Sequence, residues 1–394
     1  MKKMKMEDRF SSLPDPILCH ILSLLTTKEA VTTSILSKRW IPLWRSVPTL
    51  DFDDSNLYGG DEVYARFVEA VYKVILARDF NQPIKKFRLV LTERLKDPAN
   101  ISVWVNLVLK RRVEHIDISL HFEDDEFLEL PHIVVDTPSM FSCTTLVVLK
   151  LEGLELKANF SSVDLPFLKV LHLQDLLLQD EGCLAEILSG CLALEDLKAR
   201  DVFFDGNKAD AEFITLPKLV RADISESGGS QHFMMKVVNN VSFLRIHEID
   251  YNLIYMGEDM FHNLTHLELV YTTFNRDWFE VLEFLKYCPK LEVLVIKQPQ
   301  FYNVYLNKLG AKDWQYPSSV PECILLHLKE CCLNHYRGTK GELQFAKYIM
   351  EHGRLLNKMT ICSSTAEKQG EKLENLKKLF SCTRCSATCK FSFK

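Results

Sequence analysis

No stretch of this 394-residue chain reaches the ~18 consecutive apolar residues of a membrane-spanning helix, although 47% of it is hydrophobic. Charge of one sign is not in excess either. Lys and Arg number 48 against 53 Asp and Glu, for a formal net charge of −5. That balance lacks the basic surplus that phosphate contacts demand, which argues against a general nucleic-acid binder. The opening Met1-Lys2-Lys3-Met4-Lys5-Met6, followed by Glu7 and Asp8, has no apolar signal-peptide core. The twelve cysteines are therefore expected as thiols in the cytosol or nucleus, and the N-x-[ST] triplets at Asn100, Asn159, Asn240 and Asn263 as incidental.

Catalytic signatures are missing as well. Cys382-x-x-Cys385, with Cys389 and Cys362, lacks the second well-spaced pair of a structural zinc site. Gly338-Thr339-Lys340-Gly341 lacks the glycine spacing of a phosphate loop and reads as a turn. His247-Glu248 has no second histidine, and no G-x-S-x-G elbow is present. The expectation is a chain without metal or cofactor that performs no chemistry of its own.

What the sequence does hold is a compact helical cassette, Leu13 to Trp44. Pro14 suits a first helical position, and Ser12 stands three residues before Asp15, so a helix should begin at Leu13 or Pro14. Ile17, Leu18, Ile21, Leu22 and Leu25 follow at helical spacing. Thr26 and Glu29 form a capping-box pair for a second helix through Ala30, Val31, Ile35 and Leu36. Trp40, Leu43 and Trp44 make a third apolar turn before Pro48. A core of this size is marginal alone, so part of the apolar surface is expected to belong to a partner.

The order of residues is more informative than their hydrophobicity. Leu13-Pro14-Asp15, Ile21-Leu22-Ser23, Lys28-Glu29-Ala30-Val31, Leu36-Ser37-Lys38-Arg39-Trp40 and Leu43-Trp44 closely resemble the F-box of plant proteins. Pro16 departs from the Glu or Asp of many relatives. A private three-helix core would explain the amphipathicity but not this order. The resemblance implies docking on the Skp-type adaptor, and through it a cullin, with Leu13, Pro14, Ile17, Leu18, Leu36, Ser37 and Trp40 as adaptor contacts.

Downstream, a pattern of apolar, two variable, apolar, variable, apolar recurs. Its middle apolar residues are Leu149, Leu171, Leu197, Ala222, Leu244, Leu267 and Leu294, separated by 22, 26, 25, 22, 23 and 27 residues. Those steps match a leucine-rich repeat, with looser copies around Phe87 and Leu89 and around Ile116 and Ile118. Helical spacing in Gly182 to Leu192 and Asp277 to Tyr287 supplies return helices, so each unit reads as a strand plus a return helix that must stack to bury its apolar face. Strand alternation then turns Lys150, His172, Lys198, Arg200, Arg221, Arg245, His266 and Glu268 outward as the candidate target-binding face, with a basic trend from Lys198 to Arg245.

The last segment, with Val320-Pro321-Glu322-Cys323, Leu328-Lys329, Tyr336-Arg337-Gly338 and Leu356-Asn357-Lys358-Met359-Thr360-Ile361, resembles the FBD domain that ends many plant F-box proteins with leucine-rich repeats. Strands are expected at Leu326 and Met359, with a helix through Leu343, Ala346, Ile349 and Met350 between them. The expected fold is an α/β solenoid: a three-helix F-box (7–54), an irregular leucine-rich-repeat array of curved parallel sheet with return helices (80–319), and a closing FBD domain (320–394). The expected function is the substrate-recognition subunit of a Skp–cullin–F-box ubiquitin ligase. Expected partners are a Skp-type adaptor and an unidentified target protein, with no nucleic acid and no membrane. The alternatives are a hormone-like small-ligand co-receptor on the same frame, or a scaffold or decoy that supports no ubiquitin transfer.

Overall fold

The computed structural model describes residues 10, 12–57, 59–78, 82–92, 99–121, 133–157, 162–206, 214–225, 231–248, 261–271, 278–298, 316–363 and 369–394. Residues 1–9, Asn159 and Asp277, all used above, lie outside that set. The chain forms two compact units. One comprises Met1–Leu194 with Val202–Asp210, the other Glu195–Asp201 with Ala211–Lys394.

The first unit opens with α1 (Asp15–Leu22), α2 (Thr27–Thr32), a 3-10 turn (Thr33–Ile35), α3 (Trp40–Leu43) and a second 3-10 turn (Trp44–Ser46). Helix α1 starts at Asp15 with Pro14 as its N-cap, one residue later than the proline spacing suggested, and no side chain caps it. At α2 the expected reciprocal cap is present: Glu29 N–H donates to Thr26 Oγ1 at 3.3 Å and Thr26 N–H to the Glu29 carboxylate at 2.9 Å. Leu18, Leu22, Ala30, Trp40, Leu43, Trp44 and Val47 form one buried cluster.

The same unit continues with β1 (Thr49–Asp53), α4 (Asp61–Leu76), β2 (Lys86–Thr92), α5 (Ala99–Leu109), β3 (His115–His121), β4 (Ile133–Val134), β5 (Val148–Leu156), β6 (Val170–Leu178) and α6 (Glu181–Ser189). β1, β2, β3, β5 and β6 pair in that order, all parallel, with β4 beside the far end of β5. Register places Leu50, Phe87, Ile116, Leu149 and Leu171 in one row, and every member is fully buried.

The second unit starts in β7 (Asp196–Phe204), through Asp201. It adds β8 (Arg221–Ser225), α7 (Gln231–Val237), β9 (Phe243–His247), β10 (His266–Val270), α8 (Trp278–Leu285), β11 (Val293–Lys297), α9 (Glu322–Leu326), β12 (Glu330–Tyr336), α10 (Lys340–His352), β13 (Lys358–Ser363), α11 (Gln369–Phe380) and β14 (Lys390–Phe393). β7 to β14 pair in chain order, again parallel, and Leu197, Ala222, Leu244, Leu267, Leu294, Cys331 and Met359 make its inward row. The architecture is that of an α/β solenoid of parallel repeats.

Three expectations change. Leu326 belongs to helix α9, not to a strand, and is half exposed; Pro321 N-caps that helix, and the core slot next to Leu294 is filled by Cys331 of β12. Lys340 and Gly341 open helix α10 rather than continue a turn, because Thr339 caps it reciprocally with Glu342. Return helices are not universal: the described residues between β5 and β6, and between β7 and β8, carry none.

Strict alternation also breaks at a constant place. The sixth residue from the start of β5, β6, β7, β9 and β12 has a left-handed backbone, with φ of 73° at Gly153, 50° at Asp175, 51° at Asp201, 53° at Glu248 and 57° at His335. This shifts the phase of the strand, so the inward set of β5 runs Leu149, Leu151, then Leu154 and Leu156. Asp tolerates this region better than most residues. At Gly153 a side chain is excluded, since a Cβ there would sit 2.2 Å from the Leu120 carbonyl oxygen. Gly153→Ala is expected to destabilise the first unit by ~1–3 kcal/mol, read as a lower thermal midpoint by calorimetry; an unchanged midpoint contradicts the close approach.

Candidate docking and target-binding surfaces

Helix α1 is apolar on two faces. Leu18 and Leu22 are 0% and 1% exposed, whereas Ile17 is 48% exposed. Pro14, Ile17 and Ile21 recur at steps of three and four, a stripe that runs beside that of Leu18 and Leu22, about 100° round the helix from it. Leu24, Ile35, Leu36 and Ile41 stand 76%, 82%, 68% and 43% exposed. Arg39 ties the elements together, its Nε donating to Asp15 Oδ1 at 3.0 Å and its guanidinium to the Leu13 carbonyl.

The seven expected adaptor contacts therefore divide. Pro14, Ile17, Leu36 and Ser37 are exposed and Leu13 is half-buried, while Leu18 and Trp40 lie in the cassette core. Those two residues shape the cassette from inside. Ile35, Leu24 and Ile41 were missed as candidates. The signal for the first was Ile35-Leu36 in tandem, because two consecutive residues at the end of a 3-10 turn point about 120° apart and do not share one core.

The outward strand positions behave differently from what their charges suggest. In the first unit Lys150 and His172 are half-buried register partners on β5 and β6. In the second unit Arg200, Asp223, Arg245, Glu268 and Lys297 alternate in sign across β7 to β11. Arg200 donates to both oxygens of Asp223, through Nε at 2.7 Å and through a terminal nitrogen. Arg245 bridges Asp223 at 3.2 Å and Glu268 at 2.7 Å, and Lys297 Nζ reaches Glu268 at 2.8 Å. The basic trend expected from Lys198 to Arg245 is thus largely compensated by carboxylates on neighbouring strands. Beside this ladder, the Arg221 guanidinium lies 4.3 Å from the Phe243 ring centre, and His266 stacks on the other side at 4.7 Å. Arg221 also approaches Asp196 at 3.7 Å.

His247 Nε2 lies 3.3 Å from Asp223 and His266 Nε2 3.5 Å from Glu268. Neither contact has the alignment of a hydrogen bond. Burial pushes the Asp223 carboxyl up, but His247 and Arg200 outweigh it and leave the group at about 2. His266, Arg245 and Lys297 hold Glu268 well below the usual carboxylate range against the push of burial. The thiols behave in the opposite way: burial raises Cys191 and Cys323 to about 12, which makes them inert packing groups. All twelve cysteines are unbridged.

Among the described residues no group of three or more His, Cys, Asp or Glu is placed to hold a metal. No helix among them is long and apolar enough to cross a membrane. The fold and the two-faced cassette define a repeat protein with an amino-terminal protein-docking module. An F-box domain model matches residues 10–51, and an FBD model matches residues 315–361. An F-box/FBD/LRR-repeat protein of Arabidopsis thaliana is 30% identical over 98% of this chain and 94% of its own length. Another is 29% identical over 98% and 99%, and an FBD-associated F-box protein of the same plant is 30% identical over 98% and 100%. The chain belongs to the F-box/FBD/LRR-repeat family.

Both ladder carboxylates titrate lower in the folded chain than in the unfolded one, so their stabilisation is complete above pH ~5. It is lost as pH falls, through about 2 for Asp223, and is lost in the same direction as Glu268 takes up its proton. Asp223→Asn is expected to lose ~1–2 kcal/mol at pH 7 and to flatten the fall of the melting temperature between pH 5 and pH 2. A variant that melts in parallel with the parent across that window would show the ladder to be energetically idle.

Proposed function

We propose that this chain is a target-recruiting subunit of a Skp–cullin–F-box ubiquitin ligase, acting in the reducing cytosol or nucleus. The observation that carries this reading is the set of apolar side chains on the cassette, Ile17, Leu24, Ile35, Leu36 and Ile41, that remain exposed although the same short segment already owns a closed core. Exposed aliphatic groups gathered on one small module of a soluble chain mark a partner site. In a chain matched by an F-box model over that module, the partner is a Skp-type adaptor, and through it a cullin.

The outward faces of the strands are the proposed target-binding surface. Lys150, His172, Lys198, Arg200, Arg221, Arg245, His266 and Glu268 all stand on outward positions of their strands. Because the ladder is internally neutralised, a target there meets fixed, paired charges that report geometry rather than a net positive field. Catalysis in this scheme is proximity: the subunit raises the effective concentration of target lysines near a ubiquitin-charged enzyme and contributes no reacting group.

A cleft of about 450 Å³ bordered by Arg112, Glu114, Phe167 and Lys169 opens where the chain enters β3, β5 and β6 rather than on the outward rows. It lends no weight to a hormone-like co-receptor. The test is affinity for a recombinant Skp-type adaptor by calorimetry. Ile35→Asp with Leu36→Asp is expected to weaken binding at least tenfold with little change in melting temperature, since neither side chain belongs to the core. Undiminished binding by that variant sinks the assignment.

A further inference from the structure

The amino-terminal cassette is not hung on the repeats by a loose tether. Thr27 of α2 is buried, and its Oγ1 accepts the N–H of Asp51 in β1 at 2.7 Å. A helix side chain thus accepts one N–H of the first strand of the array, at an edge that otherwise presents unpaired groups. From the other direction, Val74 of α4 packs against the cassette core.

Arg78, two residues beyond α4, closes the joint. Its side chain is buried, at 4% exposure. It donates to the carbonyls of Val47, of Trp44 at 3.3 Å and of Thr49 at 3.3 Å. Those three acceptors span the last turn of the cassette and the first residue of β1. A planar guanidinium is suited to this work, because its fork reaches several carbonyls at once where an ammonium is a point donor. Burial and the neighbouring Arg111 charge together lower Arg78 to about 10, so it remains protonated at neutral pH.

We propose that Arg78 is a positioning residue that makes the cassette and the first strands one mechanical body, so that occupation of the docking face suppresses opening of β1 and β2. The connection is short. Ile41 of the docking face stands between Trp40 and Leu43 of the core along the chain, Trp44 follows directly, and its carbonyl is held by Arg78. A ligand that binds only the closed cassette stabilises whatever opens with it, by mass action. The docking face then governs how firmly the first repeat is held. This inference rests on the adaptor-docking reading.

The test is hydrogen exchange on the full chain with and without a recombinant Skp-type adaptor, for the parent, Arg78→Met and Arg78→Lys. In the parent, adaptor is expected to slow exchange at Leu50–Phe52 and in β2 at least tenfold, along with α1 and α3. In Arg78→Met the slowing persists in α1 and α3 but falls below twofold in β1 and β2, and Arg78→Lys is intermediate. A merely structural Arg78 would speed exchange with and without adaptor alike and leave the adaptor-induced ratio at β1 intact; that result overturns the proposal. So does a parent whose α1 and α3 are protected while β1 is not. Absence of adaptor binding removes the docking reading and this inference together, which separates the two failures. If Arg78→Met does not fold, Thr27→Val, which deletes only the Asp51 contact, is read by the same ratio.

Discussion

The structure depends on parallel strands stacked in register. Within each unit, equivalent residues of successive strands pair with one another, so that Leu50, Phe87, Ile116, Leu149 and Leu171 form one buried row and Leu197 to Met359 another. A single strand of this kind buries nothing, whereas each added neighbour covers the apolar face of the last. The first strand has no repeat before it, and here the docking cassette takes that place, with Thr27 meeting the backbone of β1. One module thus packs on the first strand and carries the exposed side chains of Ile35 and Leu36.

The same register governs the outward side. Strands stacked ~4.8 Å apart place equivalent outward charges within ion-pairing reach, and like charges in neighbouring strands would repel. The second unit resolves this by alternation, Arg200 with Asp223, Arg245 between Asp223 and Glu268, and Lys297 closing on Glu268. These groups are largely shielded from water, so their pairing is weakened by salt less than that of fully exposed pairs. The outward face of this unit is therefore charge-paired rather than uniformly basic.

Much of this was legible in the sequence. The repeat spacing located β5 to β11, and motif order located the cassette, because both depend on patterns of apolar residues that a few side chains define. The Thr26–Glu29 cap was readable for the same reason, since the reciprocal hydrogen bonds need those two residue types three apart. Other features depend on contacts distant in sequence. Leu18 and Trp40 matched the docking motif yet lie in the core: the period of α1 accommodates two apolar stripes and does not say which is inside, and the burial of Trp40 in α3 depends on packing against Leu18 and Leu22, far away in sequence. Arg200, Arg221 and Arg245 looked like part of a basic surface because pairing with carboxylates 22 to 25 residues away is invisible until the register is known. The strand expected at Leu326 shifted to Glu330–Tyr336, where Cys331 and Leu333 fill the core. Cysteine as an apolar core residue is easily passed over beside a run of leucines. The left-handed sixth residue escaped notice because Gly, Asp, Glu and His share no obvious pattern.

The central claim is that the cassette keeps one apolar face for itself and offers the other to a Skp-type adaptor. A structure of the full chain bound to that adaptor tests it most directly. The account predicts Pro14, Ile17, Leu24, Ile35, Leu36 and Ile41 buried at the interface, with Leu18 and Trp40 still packed inside. An adaptor seated on the outward strands, or an interface that leaves Ile35 and Leu36 in water, would contradict it.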